Sequence, residues 1–97
     1  MEPRDAATVM LVRDSPNLEV FMLRRNLRSV FVGGAYVFPG GAVDDDDRDP
    51  ALSALVDGCT ASDADAQLGA PGSLGFWVAA IRESFEEAGV LLARDRA

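Results

Sequence analysis

The 97-residue chain contains no histidine and a single cysteine, Cys59. Those two scarcities exclude several chemistries at once. Without histidine there is no Cys-His catalysis, and one cysteine alone does not build a zinc site. Cys59 has no internal partner for a disulfide, which favours a reducing compartment and points to a cytoplasmic location. Long apolar runs are missing too, since none approaches the roughly 18 residues needed to span a bilayer. The opening Met1-Glu2-Pro3-Arg4-Asp5 is charged and lacks the apolar core of a signal peptide. No excess of positive charge exists either. A net charge of −7 argues against nonspecific nucleic-acid binding, which needs a positive surface. No internal repeat is visible. What is present, 48% apolar and 26% charged residues, is ordinary for a soluble globular protein. The length allows one small domain, burying about 60–65% of its unfolded surface.

The richest stretch is Arg82-Glu83-Ser84-Phe85-Glu86-Glu87-Ala88-Gly89-Val90. At about 100° per residue on a helix, Glu83, Glu86 and Glu87 stand at i, i+3 and i+4 and share one face. Like charges so close cost a few tenths of a kcal/mol per pair in a solvated helix. A hard divalent cation removes that cost, because Mg²⁺ and Mn²⁺ prefer carboxylate oxygens. On the same helix Trp77, Ile81, Ser84, Phe85 and Ala88 fall within roughly 80° of Trp77, nearly opposite the acid. That stripe is expected to pack on a core. Ser73 reads as the N-cap and Gly89 as the left-handed residue closing the last turn, giving a helix over 74–88. An amphipathic helix with a merely solvated acidic face is the plain alternative.

Upstream, 6–13 reads as a strand, Asp14-Ser15-Pro16-Asn17 as a turn, and 18–24 as a strand pairing back in a hairpin. Residues 26–34 read as a loop, and 36–38 as a short strand ended by Pro39-Gly40-Gly41. Glycine there lets main-chain groups approach a metal or a phosphate, because no Cβ intervenes. Asp44-Asp45-Asp46-Asp47 reads as a solvated charge run. Residues 50–56 suit one or two helical turns, and 58–75, rich in Ala, Asp, Ser and Gly, read as mobile. Val90-Leu91-Leu92 would begin a further strand. Arg24, Arg25 and Arg28 are the densest basic cluster on offer to a phosphate, although charges at a strand end are also simply solvated.

These segments resemble the Nudix hydrolase signature, Gly-x5-Glu-x7-Arg-Glu-U-x-Glu-Glu-x-Gly-U, with U a bulky aliphatic. Gly41 would open the box and Arg82 to Val90 would be its second half. Three departures stand out. Asp47 occupies the place of the first glutamate, Ser84 that of an aliphatic, and 34 residues separate Asp47 from Arg82 where the pattern has seven. Most of that gap is an insertion over 48–75, and with the exchange to aspartate it weakens any expected role for Asp47. A split box is similar to that of coenzyme A diphosphatases. Their preceding segment, with Phe-x-x-Gly-x-x-Val-Phe-Pro-Gly-Gly, has its counterpart here within 23–41, ending Val37-Phe38-Pro39-Gly40-Gly41.

The resemblance, over about 6–92, implies an α/β (α+β) fold, a mixed sheet packed by helices. Residues 1–97 would be the N-terminal portion of one such domain, incomplete at its C-terminal side. It implies hydrolysis of a diphosphate in a small-molecule substrate, coenzyme A derivatives first and other nucleoside diphosphate compounds second. Glu83, Glu86 and Glu87, with the Gly40 carbonyl, would bind Mg²⁺ or Mn²⁺, and Arg82 would hold the glutamates by charge pairing. Gly40, Gly41, Arg24, Arg25 and Arg28 would meet the substrate. A non-catalytic fragment that binds a metal or a partner is the competing reading. Partners of the second kind would be another copy of the chain or a complementing C-terminal chain. With the rest of a Nudix domain absent, Trp77, Ile81 and Phe85 would lack cover, and the chain alone is expected to be marginally folded and inactive.

Overall fold

Antiparallel ribbons occupy the first half of the chain and helices the second. The computed structural model describes residues 3–24 and 35–94. The single strand expected over 6–13 is two, β1 (Ala6–Thr8) and β2 (Val12–Asp14), because its halves serve different partners. β2 pairs with β3 (Leu18–Val20), setting Val12 opposite Val20 and Arg13 opposite Glu19. This is the expected hairpin, turning at 15–17, but the strand expected over 18–24 is also split in two. β4 (Leu23–Arg24) pairs with β5 (Tyr36–Val37). β1 pairs instead with β6 (Gly40–Ala42), Thr8 opposite Gly40 and Ala6 opposite Ala42. The strand expected over 36–38 does end before Pro39, but Gly40 and Gly41 then open a strand of their own. Backbone bonds from Val9 N to the Pro39 carbonyl and from Val43 N to the Asp5 carbonyl, 2.8 and 2.9 Å, extend the pairing at both ends. Every pairing among the described residues is antiparallel.

The Asp44–Asp47 run is solvated at Asp44, Asp45 and Asp46, but not at Asp47. Residues Asp45–Arg48 form a 3-10 turn in which the Asp44 N–H donates to Asp47 Oδ2 at 2.8 Å. Asp47 itself is 1% exposed. Helix α1 (Pro50–Ser53) follows, its first turn fixed by proline and by Asp49 accepting from the Ala51 N–H. The stretch expected to be mobile contains α2 (Ala61–Leu68). Thr60 and Asp63 exchange side-chain and backbone hydrogen bonds at its start, and Gly69 closes it at φ 73°. That reciprocal cap satisfies two orphan N–H groups and stabilises a helix that composition alone does not favour.

Helix α3 spans Leu74–Ala88, with Gly89 left-handed at φ 72°, the bounds and the closure the sequence predicts. Its start differs. Ser73 is itself helical in φ and ψ and makes no cap bond; its hydroxyl donates to the Ala70 carbonyl at 2.6 Å, closing a turn ahead of the helix. The buried face is also rotated from expectation. Leu74, Val78, Ala79 and Ser84 are buried, whereas Phe85 is 54% exposed and Trp77, Ile81 and Ala88 are only half-buried. Small residues decide this, because they admit close neighbours. A Cβ on Gly75 would lie 2.7 Å from Arg48 Cγ, so α3 packs that side closely and leaves Phe85 exposed. Residues 90–92 form no strand among the described residues. Val90 N instead bonds the Ser84 carbonyl at 3.3 Å, completing the helix end.

Candidate active site

The site is organised by Arg82, whose guanidinium reaches four carboxylates and one carbonyl. Nε and Nη2 donate to the two oxygens of Asp47 at 2.9 and 3.0 Å, a bidentate pair. Nη1 donates to Glu83 Oε1 at 2.9 Å and to Glu86 Oε2, four residues on, at 3.0 Å. Nη2 also donates to the Ala42 carbonyl at 3.0 Å and lies 3.5 Å from Asp44. The planar fork of arginine matches a carboxylate in two parallel bonds, which lysine does not. Helix α3, strand β6 and the 3-10 turn are thereby joined through one side chain. The expected charge pairing of Arg82 with the glutamates is present.

Spacing and the exchange to aspartate argue against a role for Asp47, yet the structure buries it and pairs it with Arg82. Asp47 lies six residues after Gly41, and the segment expected to be an insertion, 48–75, begins just beyond it. Arg48 draws the insertion's ends together. Its Nε donates to the Gly72 carbonyl at 3.3 Å, Nη2 pairs with Asp5 at 2.8 Å, and the group lies over the Phe76 ring at 5.8 Å. Residues 48–75 thus loop out, and Asp47 meets Arg82 across them. The signal in the sequence is the intact interval from Gly41 together with the Asp44–Asp47 spacing of three.

Glycines 40 and 41 have separate reasons. A Cβ on Gly40 would lie 2.5 Å from the Ala7 carbonyl oxygen, so glycine allows β6 to lie against β1. A Cβ on Gly41 would lie 2.6 Å from Glu83 Oε1; the Glu83 carboxylate fills the space a side chain would take. The Gly40 N–H donates to Glu87 Oε1 at 3.0 Å. Two of the three box glutamates are thus held against the glycine strand, and Glu86, which is exposed, is held by Arg82.

Charge balance differs from one carboxylate to the next. The Arg82 hydrogen bonds hold Asp47 below its ordinary pKa, with the Asp44 N–H helping and burial opposing. Burial pushes Glu83 up, and the neighbouring Glu87 carboxyl adds to the shift; Arg82 pulls the other way without outweighing them. Arg82 is held above its usual value, chiefly by Asp47. Among the described residues, no group of three or more His, Cys, Asp and Glu side chains converges as a metal cage would. The glutamates are engaged with arginine and backbone N–H groups. Of the basic residues expected to meet phosphate, Arg24 lies exposed in β4, and Arg25 and Arg28 lie outside the described residues.

No family profile matches the chain. The acyl-coenzyme A diphosphatase NUDT19 of Gallus gallus is 33% identical over an alignment covering 92% of this chain and 32% of that protein. The chain thus spans about a third of the length of this curated relative. A crystal structure of a NUDIX hydrolase from Alicyclobacillus acidocaldarius superposes with a TM-score of 0.70 at 37% identity, covering 97% of this chain and 40% of the other. No helix among the described residues is long and apolar enough to cross a membrane.

Proposed function

Since this chain belongs to the Nudix hydrolase family, we propose that its site serves metal-dependent hydrolysis of a diphosphate linkage, in coenzyme A or an acyl-coenzyme A derivative. The observation that carries the reading is the Glu83 carboxylate seated in the gap at Gly41, beside a Glu87 anchored by the Gly40 N–H. Two carboxylates brought together where one is already pushed toward protonation make a place that gains from a divalent cation. Glu83, Glu86 and Glu87 supply the hard oxygen donors that Mg²⁺ or Mn²⁺ takes, with the Gly40 carbonyl as a further donor. Bound there, the ion would polarise phosphoryl oxygens and stabilise developing charge.

The chain's own residues have distinct parts in this reading. Arg82 restrains Glu83 and Glu86 while also bonding the Ala42 carbonyl of the glycine strand, and Asp47 fixes Arg82 in turn. Gly41 keeps a Cβ out of the space the Glu83 carboxylate fills, and Gly40 lets β6 lie against β1 while its N–H anchors Glu87. Arg24, together with Arg25 and Arg28, supplies positive charge toward the phosphates. Other nucleoside diphosphate compounds are the second substrate class. The non-catalytic reading keeps support from the exposed Phe85 on the site helix.

Titrating Mn²⁺ into the chain while following the NMR signals of its carboxylate residues tests the site. Paramagnetic broadening is expected at Glu83, Glu86, Glu87 and Gly40. Broadening centred on Asp44–Asp46 with the helix signals untouched would sink it.

A further inference from the structure

Beside the Arg82 hub lies a groove of about 750 Å³ that none of the preceding roles uses. Its walls are Leu52, Leu55 and Val56 of the insertion, Ile81 of α3, and Leu91 and Leu92. Asp47 and Arg82 also line it, so groove and site share a wall. Asp57 and Arg94 line it as well and pair with each other at 2.8 Å, tying the insertion to the segment after α3. A volume of this size, mostly apolar with a few placed polar groups, is the usual character of a small-molecule site. Leu55 and Leu91 stand 64% and 61% exposed on it.

The charges in the groove choose its occupant. Both arginines that line it are already paired to aspartates within it, Arg82 to Asp47 and Arg94 to Asp57. Among the described residues it therefore offers no unpaired cation to an anionic head group. An uncharged apolar chain suits it, attached to something whose charge lies elsewhere. We propose that this groove takes the acyl chain of the substrate, with its diphosphate at the Glu83 side of Arg82, and that the insertion confers the preference for chain length. The proposal rests on the diphosphate-hydrolase reading above. It gives the insertion a chemical role, since Leu52, Leu55 and Val56 all come from it.

Isothermal calorimetry of the chain in Mg²⁺ with coenzyme A, acetyl-coenzyme A and octanoyl-coenzyme A, below micelle-forming concentrations, tests this. Affinity is expected to rise with chain length, by at most about fourfold for each methylene buried. The octanoyl compound should bind at least about tenfold tighter than coenzyme A, well inside that ceiling. L55D and, separately, L91D should abolish the difference and leave coenzyme A affinity unchanged. Both sites are exposed, so neither change removes a buried contact, and a circular dichroism melt of each variant confirms its folding. Coenzyme A binding without any chain-length effect would overturn the groove and leave the diphosphate reading intact. Chain-length dependence that survives both substitutions would also overturn it. So would self-association of the wild type that L55D dissolves, since a second copy would then be the occupant. Octanoyl binding that depends on Leu55 while coenzyme A shows none would uphold the groove and remove the diphosphate reading instead.

Discussion

Two ion pairs in this molecule have nearly equal lengths and very different surroundings. Arg13 Nε lies 2.7 Å from Glu19 on the β2–β3 hairpin, with side chains 76% and 50% exposed. Arg82 Nε lies 2.9 Å from Asp47, with side chains 25% and 1% exposed. The hairpin pair sits in water, where the Coulomb gain is screened and two long side chains lose freedom to hold it. The hub pair cannot exchange its partner for solvent. Distance does not rank them; the surroundings do. The same contrast extends to the regions that carry them. All six residues of β2 and β3 are exposed, whereas the hub joins α3, β6 and the 3-10 turn. The buried apolar side chains among the described residues are few, namely Pro39, Ala64, Leu74, Val78 and Ala79. In this protein the site region is held largely by polar bonds.

Arg82→Ala should show the contrast most strongly. It strands the buried Asp47 charge and frees Glu83 and Glu86, and removing one partner of a buried pair costs about 3–5 kcal/mol. The urea midpoint should fall accordingly, and Arg82→Lys should recover little, because an ammonium lacks the bidentate fork. A loss below about 1 kcal/mol, the range of exposed pairs, would place the hub on a level with the hairpin.

Asp47→Asn comes next, with an expected cost of roughly 1–3 kcal/mol for weakening a charged hydrogen bond in a buried setting. Its acid dependence carries a sign. The folded pKa of Asp47 lies below its ordinary 3.8, so its stabilising contribution is complete above that value. It is lost as pH falls from there through the lower folded pKa. Acid unfolding curves of wild type and variant should therefore converge in that window. Curves that stay parallel down to the acid limit would show that Asp47 is not the linked group.

Gly41→Ala should act on the site more than on the fold. The added Cβ would lie 2.6 Å from Glu83 Oε1, so the carboxylate must move. Mn²⁺ affinity should drop by about tenfold, which equals 1.4 kcal/mol, while the melting temperature changes little. Unaltered affinity would remove Glu83 from the ligand set. At the small end, Arg13→Ala on the hairpin should alter stability by no more than about 0.5 kcal/mol. A measured loss above about 2 kcal/mol, beyond the range of exposed pairs, would dissolve the comparison between the two regions.

The sequence is legible where neighbours along the chain decide conformation. The apolar period and Gly89 delimit α3, the turn residues at 14–17 place the hairpin, and Arg82 and Glu86 at i, i+4 meet as the helix geometry requires. It misleads where the deciding partner is far away in the chain. Asp47 and Arg82 lie 35 residues apart, and nothing in the intervening residues announces that Arg48 closes them off. The Thr60–Asp63 cap of α2 is local and readable, but the Ala, Asp, Ser and Gly around it point the other way.

Residue order alone therefore determined the helix that carries three glutamates on one face, its closure and the glycine pair beside it. Tertiary structure decided which side of that helix is buried, why each glycine is needed, and that Asp47 is buried against Arg82. The physical reason is range. Helix periodicity and capping act over three or four residues and can be read from spacing. The Cβ space at Gly41 and the water excluded from Asp47 exist only once β6, the 3-10 turn and α3 have come together.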